Sequence, residues 1–124
     1  MGDKKLPGIA AEDIGKCAYG VFKRGAELAG KTVGIAGDML TGAEMAAAMS
    51  RALEKEIVFN DVPPEVYRSF GFPGADEMGN MFQVYCDFEK QCMAARSIET
   101  ARALNPQLQS FDQWLAKNKS RIPL

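Results

Sequence analysis

Two side chains on the first predicted helix have the types and the spacing of a catalytic acid and its helper. Tyr19 and Lys23 lie four residues apart in the segment YGVFK. Enzymes that reduce carbonyls with a nicotinamide coenzyme use such a pair, in which the lysine lowers the tyrosine pKa for proton transfer. That chemistry needs a coenzyme-binding strand upstream, and only eighteen residues precede Tyr19. We therefore favour an ordinary amphipathic helix and keep Tyr19 and Lys23 as weak catalytic candidates.

A second segment, Val33–Met49, has the outline of a nucleotide-binding loop, because an apolar run leads through glycines into a helix. The spacing of Gly34, Gly37 and Gly42 does not fit a dinucleotide fingerprint. The segment Thr41–Glu44 is a capping box, which supplies protein partners for the amides that would otherwise face a phosphate. The sequence thus predicts a capped structural turn and no cofactor-binding residues.

Methionine and aromatic side chains are concentrated in the second half of the chain. Such a stripe at helical spacing is most often hydrophobic core. The alternative is an adaptable apolar wall that lines a substrate cleft or faces a partner, since thioethers and rings accept varied shapes. The candidates for this cleft or partner-facing surface are Phe70, Phe72, Met78, Met81, Phe82 and Tyr85.

Composition limits the chemistry that the chain can perform. It has no histidine, and its cysteines, Cys17, Cys86 and Cys92, match no metal-binding spacing, so we predict no metal site. Reduced, packed cysteines are typical of a cytoplasmic protein, with the nucleus as an alternative. The 15 basic and 16 acidic residues form no basic stripe, which disfavours direct nucleic-acid binding. No apolar run reaches the ~18 residues that span a membrane.

The elements that must position these residues follow from periodicity and capping signals. The predicted elements are a helix over Ala11–Arg24 with Ile14, Cys17, Ala18, Val21 and Phe22 inward, a strand over Lys31–Ala36, a helix from Thr41 to Leu53, a strand over Ile57–Val62, a short helix from Pro64, a long helix over Asp76–Met93, a helix over Ser97–Leu104 and a last helix opened by the capping box Ser110–Gln113. This is an α/β chain of two short strands and about six helices. We predict one domain, residues 1–124, with an αβαβ segment over about 1–62 and a helical cap over 63–124. The strand–helix–strand order predicts a parallel pair, which needs further neighbours.

Four segments, in this order, resemble the C-terminal part of NmrA-like family proteins, which are atypical relatives of the short-chain dehydrogenases. The segments are DIGKCAYGVFK, GKTVGIAGDMLTGAEMAAAMSRAL, PPEVYRSFGFPGADEMGNMF and LNPQLQSFDQWLAKNKSRI. Together they cover nearly the whole chain. The FGFPGA to NMF stretch and the LNP to DQWL ending are the most specific, whereas the LTGAE turn is shared more loosely with related folds.

The resemblance implies the helix-rich C-terminal, substrate or cap portion of a Rossmann-type NAD(P)-binding fold. The family's GxxGxxG loop would lie N-terminal to this sequence, so the dinucleotide-binding half is expected to be absent. No cofactor is expected for this chain alone, and NADP(H) is implied only for a full-length relative. The segment Phe70–Ala75 and the helix from Asp76 are implied to help to close the nicotinamide pocket. The Thr32–Ala36 strand would join the main sheet, and Ile57–Val62 a small separate sheet.

The leading functional hypothesis is a non-catalytic, truncated relative of an NADP(H) sensor or regulator. It would act through protein–protein contact, either with a protein partner or by self-association through exposed apolar faces. We expect neither direct nucleic-acid binding nor a membrane partner. The alternative is an NADPH-dependent reductase or redox sensor with Tyr19 as the acid and Lys23 as its helper. Transcriptional regulation, which the resemblance implies, would proceed through another protein.

Overall fold

In a computed structural model, residues 1–123 are described and form two β-strands and seven α-helices. The elements in chain order are β1 (Lys5–Gly8), α1 (Ala11–Arg24), β2 (Asp38–Thr41), α2 (Gly42–Leu53), α3 (Pro64–Arg68), α4 (Ala75–Asp87), α5 (Glu89–Ala94), α6 (Ile98–Leu104) and α7 (Phe111–Asn118). Short 3₁₀ turns follow α1 and α7. The predicted class, a helix-rich α/β chain with two short strands, is confirmed.

The positions and the direction of the two predicted strands are wrong. β1 and β2 pair antiparallel, with Lys5 opposite Thr41 and Gly8 opposite Asp38. The predicted strand over Lys31–Ala36 contributes a single parallel bridge, from Ile35 to Ser97, and Ile57–Val62 forms no strand within the described chain. A strand needs a partner edge for its backbone hydrogen bonds. Here that edge is the N-terminal segment KLPG, whose four residues are too few to show alternation.

The predicted helix over Asp76–Met93 is divided at Phe88 into α4 and α5, so the longest helix is α1, with 14 residues. Phe88 leaves the helical region, with φ −120° and ψ 32°. After this break, Glu89 accepts a hydrogen bond from the main-chain N–H of Lys5 at 2.8 Å. The break thus lets α5 lie against β1.

Both predicted capping boxes are confirmed. The Thr41 hydroxyl accepts from the Glu44 N–H at 3.1 Å, and the Glu44 carboxylate accepts from the Thr41 N–H at 2.7 Å. Ser110 and Gln113 make the equivalent reciprocal pair at the start of α7. These bonds occupy main-chain donors that helix ends otherwise leave unpaired.

The inward face predicted for α1 is correct for Cys17 and Val21 and wrong for Ile14, Ala18 and Phe22, so the buried face is rotated about the helix axis. The buried stripe is Asp13, Cys17 and Gly20, whereas Ile14 is 49% exposed and Phe22 is 81% exposed. The cause is the close approach of α6, since a Cβ on Gly20 would overlap the main chain of Leu104. Cys17 joins a core cluster that also contains Ala101, Leu104 and Leu108.

Candidate functional site

The only charged side chain in the buried stripe of α1, Asp13, is fully buried and organises the loop after α6. Its Oδ1 accepts from the Asn105 amide at 3.1 Å and from the Lys16 ammonium at 2.9 Å. Its Oδ2 accepts from the Gln109 main chain at 2.9 Å and from the Gln109 side-chain amide at 3.2 Å. A buried carboxylate is tolerated when it is paired and hydrogen-bonded in this way.

The electrostatic balance keeps Asp13 ionised. Burial by itself raises the pKa of Asp13, but the hydrogen bonds from Gln109 and Lys16 outweigh it and hold the pKa below the ordinary aspartate value. The negative charge therefore persists at neutral pH and fixes Gln109, which lies 96 residues away in the chain. An acidic residue in the first turn of a helix is ordinarily explained by the helix dipole, and this network was not predicted from the sequence. The place of Asp13 in the 13–17–20 stripe was the signal available.

Gln109 connects the Asp13 network to a neighbouring carboxylate. Its Nε2 also donates to Glu12 Oε1 at 3.1 Å, and its Oε1 accepts from the Lys117 ammonium at 3.0 Å. The pKa of Glu12 is lowered, first by the backbone amide of Glu12 itself and next by the Gln109 side chain. Glu12 is thus an ionised acceptor whose position is set by a buried amide.

Glu12 borders a cavity of about 900 Å³, which we call the β–α7 cavity because its walls are the two strands, the start of α1 and α7. Its apolar walls include Leu6, Leu40, Met45, Phe111, Trp114 and Ile122. Sites for small organic molecules have this size and this mixture of apolar walls with a few polar groups. None of these residues was predicted as a site from the sequence, because they come together only when β1 pairs with β2.

The cleft or partner-facing residues predicted from the sequence lie elsewhere, around Tyr67 on α3. The Tyr67 ring centroid is 5.4 Å from that of Phe70, 5.7 Å from that of Phe72 and 5.2 Å from that of Phe82. The Tyr67 hydroxyl lies 3.8 Å from Met78 Sδ. The structure thus brings Phe70, Phe72, Met78 and Phe82 together in one cluster around Tyr67, and Phe72 folds back onto Tyr67 after the left-handed Gly71.

This cluster forms a partly exposed surface that we call the α3–α4 face, comprising Phe70, Phe72, Met78, Met81 and Phe82. Phe70 is 52% exposed, and Phe72, Met78 and Met81 are exposed to a similar extent. Tyr85 is half-buried and is not among the aromatic partners of Tyr67. Its ring lies 5.7 Å from the Arg96 guanidinium instead. None of the six predicted residues lines the β–α7 cavity.

Tyr19 and Lys23 lie on an exposed part of α1, outside the β–α7 cavity. Tyr19 is 66% exposed, and the Lys23 Nζ lies 5.5 Å from the centre of its ring. This is the geometry of a cation–π contact, in which the ammonium faces the ring rather than the hydroxyl.

The residues present do not fit a dinucleotide at the turn that leads into α2. A Cβ at Gly34 would overlap the Ala95 carbonyl, and one at Gly42 would overlap the Phe59 ring, so close packing of protein atoms accounts for these glycines. The amides of Thr41 and Glu44 are already bonded within the capping box. A pyrophosphate there would have to displace both sets of contacts.

Residues 1–123 contain neither a metal-ligand cluster nor a membrane-spanning helix. Within this range no group of three or more histidine, cysteine, aspartate or glutamate side chains is placed to hold a metal ion. No helix of the described chain has the length and apolar content required to cross a membrane.

Comparison with known proteins gives one family and one fold. The family model described as NmrA-like family matches residues 1–115. A solved structure of Nmra, a negative transcriptional regulator, aligns with a TM-score of 0.70 and 22% identity, and a mutant of NmrA aligns with 0.70 and 21%. The structure of Nmra in complex with NAD aligns with 0.69 and 20% identity. Each alignment covers 94% of this chain and 40% of the other, so the chain spans less than half of those proteins and shares the fold of that part.

Proposed function

The chain belongs to the NmrA-like family, as its four sequence segments predicted, and from this premise we propose that it is a non-catalytic binding module that acts by contact with another protein molecule. The observation that carries the proposal is the apolar stripe of α1 that no other element covers. Ile14, Ala18 and Phe22 are all exposed and follow one another at intervals of four residues. With Val33 and Ile35 they line a shallow groove of about 260 Å³, and we call this surface the α1 face.

The α1 face has the character of an interaction surface. Single exposed apolar residues are ordinary on soluble proteins, whereas a contiguous apolar patch marks a contact site. Phe22 is the most exposed large apolar side chain of the described residues, and burying a phenylalanine contributes about 1.5–3 kcal/mol. The α3–α4 face is a second contact surface in this proposal.

The occupant that we propose for the α1 face is a second copy of the chain. A twofold interface uses the same patch on both subunits, so each apolar side chain on the patch contributes to the binding free energy twice. We propose no direct contact with DNA, because the 15 basic and 16 acidic residues form no basic stripe. A regulatory role, like that named for the Nmra structure, would therefore be exerted through protein.

Sedimentation velocity over a range of micromolar concentrations tests this proposal. We expect the unmodified chain to associate and Phe22→Ser to sediment as a monomer, because losing two Phe22 contacts weakens a twofold dimer by about 3–6 kcal/mol. Tyr19→Ser is the matched control, since Tyr19 is exposed on the same helix but does not line the groove. An unmodified chain that stays monomeric throughout, or equal loss in both variants, would refute the proposal.

We also propose that the chain by itself does not bind NADP(H), because the glycines of the segment that leads into α2, Gly34, Gly37 and Gly42, are packed against protein atoms. Titration with NADPH, followed by nicotinamide fluorescence, is the direct test. We expect no saturable change at millimolar coenzyme. A saturable change that Gly42→Ala abolishes, in a variant that still melts cooperatively, would contradict this proposal and revive a reductase with Tyr19 and Lys23.

A further inference from the structure

The β–α7 cavity is independent of both apolar faces and has features of a ligand site. Trp114 and Phe111 lie three residues apart on α7, on the same side of the helix, and both line the cavity. Leu6, Leu40 and Met45 line it from the strands and α2. Two rings beside apolar side chains suit a planar aromatic molecule, because aromatic pairs gain from stacked or edge contacts beyond the area that they bury.

Three charged side chains line the cavity, two carboxylates and one guanidinium, so the net formal charge of its lining is negative. The Asp38 carboxylate accepts from the main-chain amides of Met39 and Phe111, both at 3.1 Å. The Arg121 guanidinium donates to Asn118 at 3.2 Å, and the residue is exposed. Glu12 accepts one hydrogen bond from Gln109, and a carboxylate has about four acceptor positions.

One oxygen of the Glu12 carboxylate is held in position by a buried amide. The amide that holds it belongs to Gln109, which is buried and is itself held by Asp13. A carboxylate that is held in place before binding requires no rearrangement to accept a donor from a ligand. The cavity therefore presents an apolar, ring-lined body with an anionic acceptor at the α1 end.

We propose that the β–α7 cavity binds a planar aromatic amine, with its ring against Trp114 and its ammonium on the Glu12 carboxylate. The cavity volume of about 900 Å³ accommodates one such molecule with its solvent. The preference for a cation is modest, because Glu12 is exposed and Arg121 has the opposite charge. We expect an amine to bind about three-fold more tightly than an anion of the same shape.

Trp114 is the only tryptophan of the chain, so its fluorescence reports on this cavity directly. The probes are para-nitrophenethylamine and its anionic counterpart para-nitrophenylpropionate, whose nitro group quenches indole emission. We expect saturable quenching by the amine, with a dissociation constant about three-fold below that of the propionate. Linear, non-saturating quenching by both probes would overturn the proposal, because it would show only collisions in solution.

Two variants and one control assign the binding to the named residues. Glu12→Gln should make the two dissociation constants equal, whereas Glu99→Gln, on the exposed side of α6, should leave the three-fold preference unchanged. Phe111→Ala should weaken both probes about ten-fold, because it removes part of the aromatic wall. Each variant is first shown to melt cooperatively by circular dichroism. An amine preference that persists in Glu12→Gln, or binding unchanged in Phe111→Ala, would refute the assignment.

Discussion

Replacement of Asp13 should destabilise this fold more than replacement of any surface carboxylate. In Asp13→Ala, two buried donors lose their acceptor, the main-chain N–H of Gln109 and the amide of Asn105. Each buried donor left without a partner costs about 1–3 kcal/mol, so the expected loss is about 4 kcal/mol. The Lys16 ammonium adds little, because its side chain reaches solvent. Asp13→Asn keeps one acceptor oxygen and should cost about 2 kcal/mol.

Urea unfolding, followed by far-UV circular dichroism and Trp114 fluorescence, measures this loss. With an m-value of about 2 kcal/mol per molar urea, Asp13→Ala should lower the midpoint by about 2 M. Asp112→Asn is the control, since Asp112 is 68% exposed and its carboxylate lies 3.2 Å from the Arg51 guanidinium in a surface ion pair. Such pairs contribute about 0–1 kcal/mol. Midpoints of Asp13→Ala and Asp112→Asn that fall within error of each other would refute the reasoning.

Acidification gives an independent check with a defined sign. Because the pKa of Asp13 is lower in the folded state, the stability that it contributes is fully present above the ordinary aspartate pKa of about 3.9. That stability is lost as the pH falls through the lower, folded-state pKa. The difference in unfolding free energy between the unmodified chain and Asp13→Asn should therefore be constant near neutrality and shrink below about pH 4. A difference that grows on acidification would mean that Asp13 is protonated in the native state.

Other features of the fold lead to predictions of similar precision. Gly20→Ala should lower the free energy of unfolding in urea by about 1–3 kcal/mol, because its Cβ would overlap Leu104. Gly15→Ala on the same helix meets no neighbour and should raise the free energy of unfolding by up to about 1 kcal/mol. Changes of the same sign in the two variants would refute this prediction. Ser110→Ala removes the cap of α7 and should lower stability by about 1 kcal/mol, measured the same way, and no change would show that the cap contributes nothing. Burial raises the pKa of the Cys17 thiol, so Ellman's reagent should label the other two cysteines first and Cys17 only on unfolding; three equal rates would contradict the burial.

The local signals of the sequence were sufficient to place most helix ends. Capping boxes at Thr41 and Ser110 depend on residues three apart, and both form as predicted. The glycine cap that brings Phe72 onto Tyr67 is equally local. The break at Phe88 was not predictable in this way, because α5 is held by Glu89 bonding to the distant Lys5. Helix ends that depend on neighbouring residues can be predicted from the sequence, whereas helix ends that depend on tertiary contacts cannot.

The strands and the cavity could not be predicted because they depend on pairings between distant segments. The segment Lys31–Ala36 has a stronger strand pattern than β1, yet β1 forms a ladder and Lys31–Ala36 does not. A segment becomes a strand only if a partner strand is available for its backbone hydrogen bonds. Lys5–Gly8 has such a partner in β2, which lies about thirty residues further along the chain. The walls of the β–α7 cavity follow from that pairing, so an error in the strands concealed the site as well.

The rotated face of α1 also depends on a contact between distant segments, and it links stability to binding. Periodicity favours burying Ile14 and Phe22, but the close contact between Gly20 and Leu104 turns Asp13 inward instead. The buried Asp13 carboxylate then holds Gln109, and Gln109 holds Glu12 at the cavity. The rotation that leaves an apolar stripe exposed for a protein contact therefore also positions the carboxylate proposed to bind an amine. Because both features depend on one helix orientation, Gly20→Ala should weaken the amine preference and the self-association together, while a change at Phe22 alone should affect only the latter.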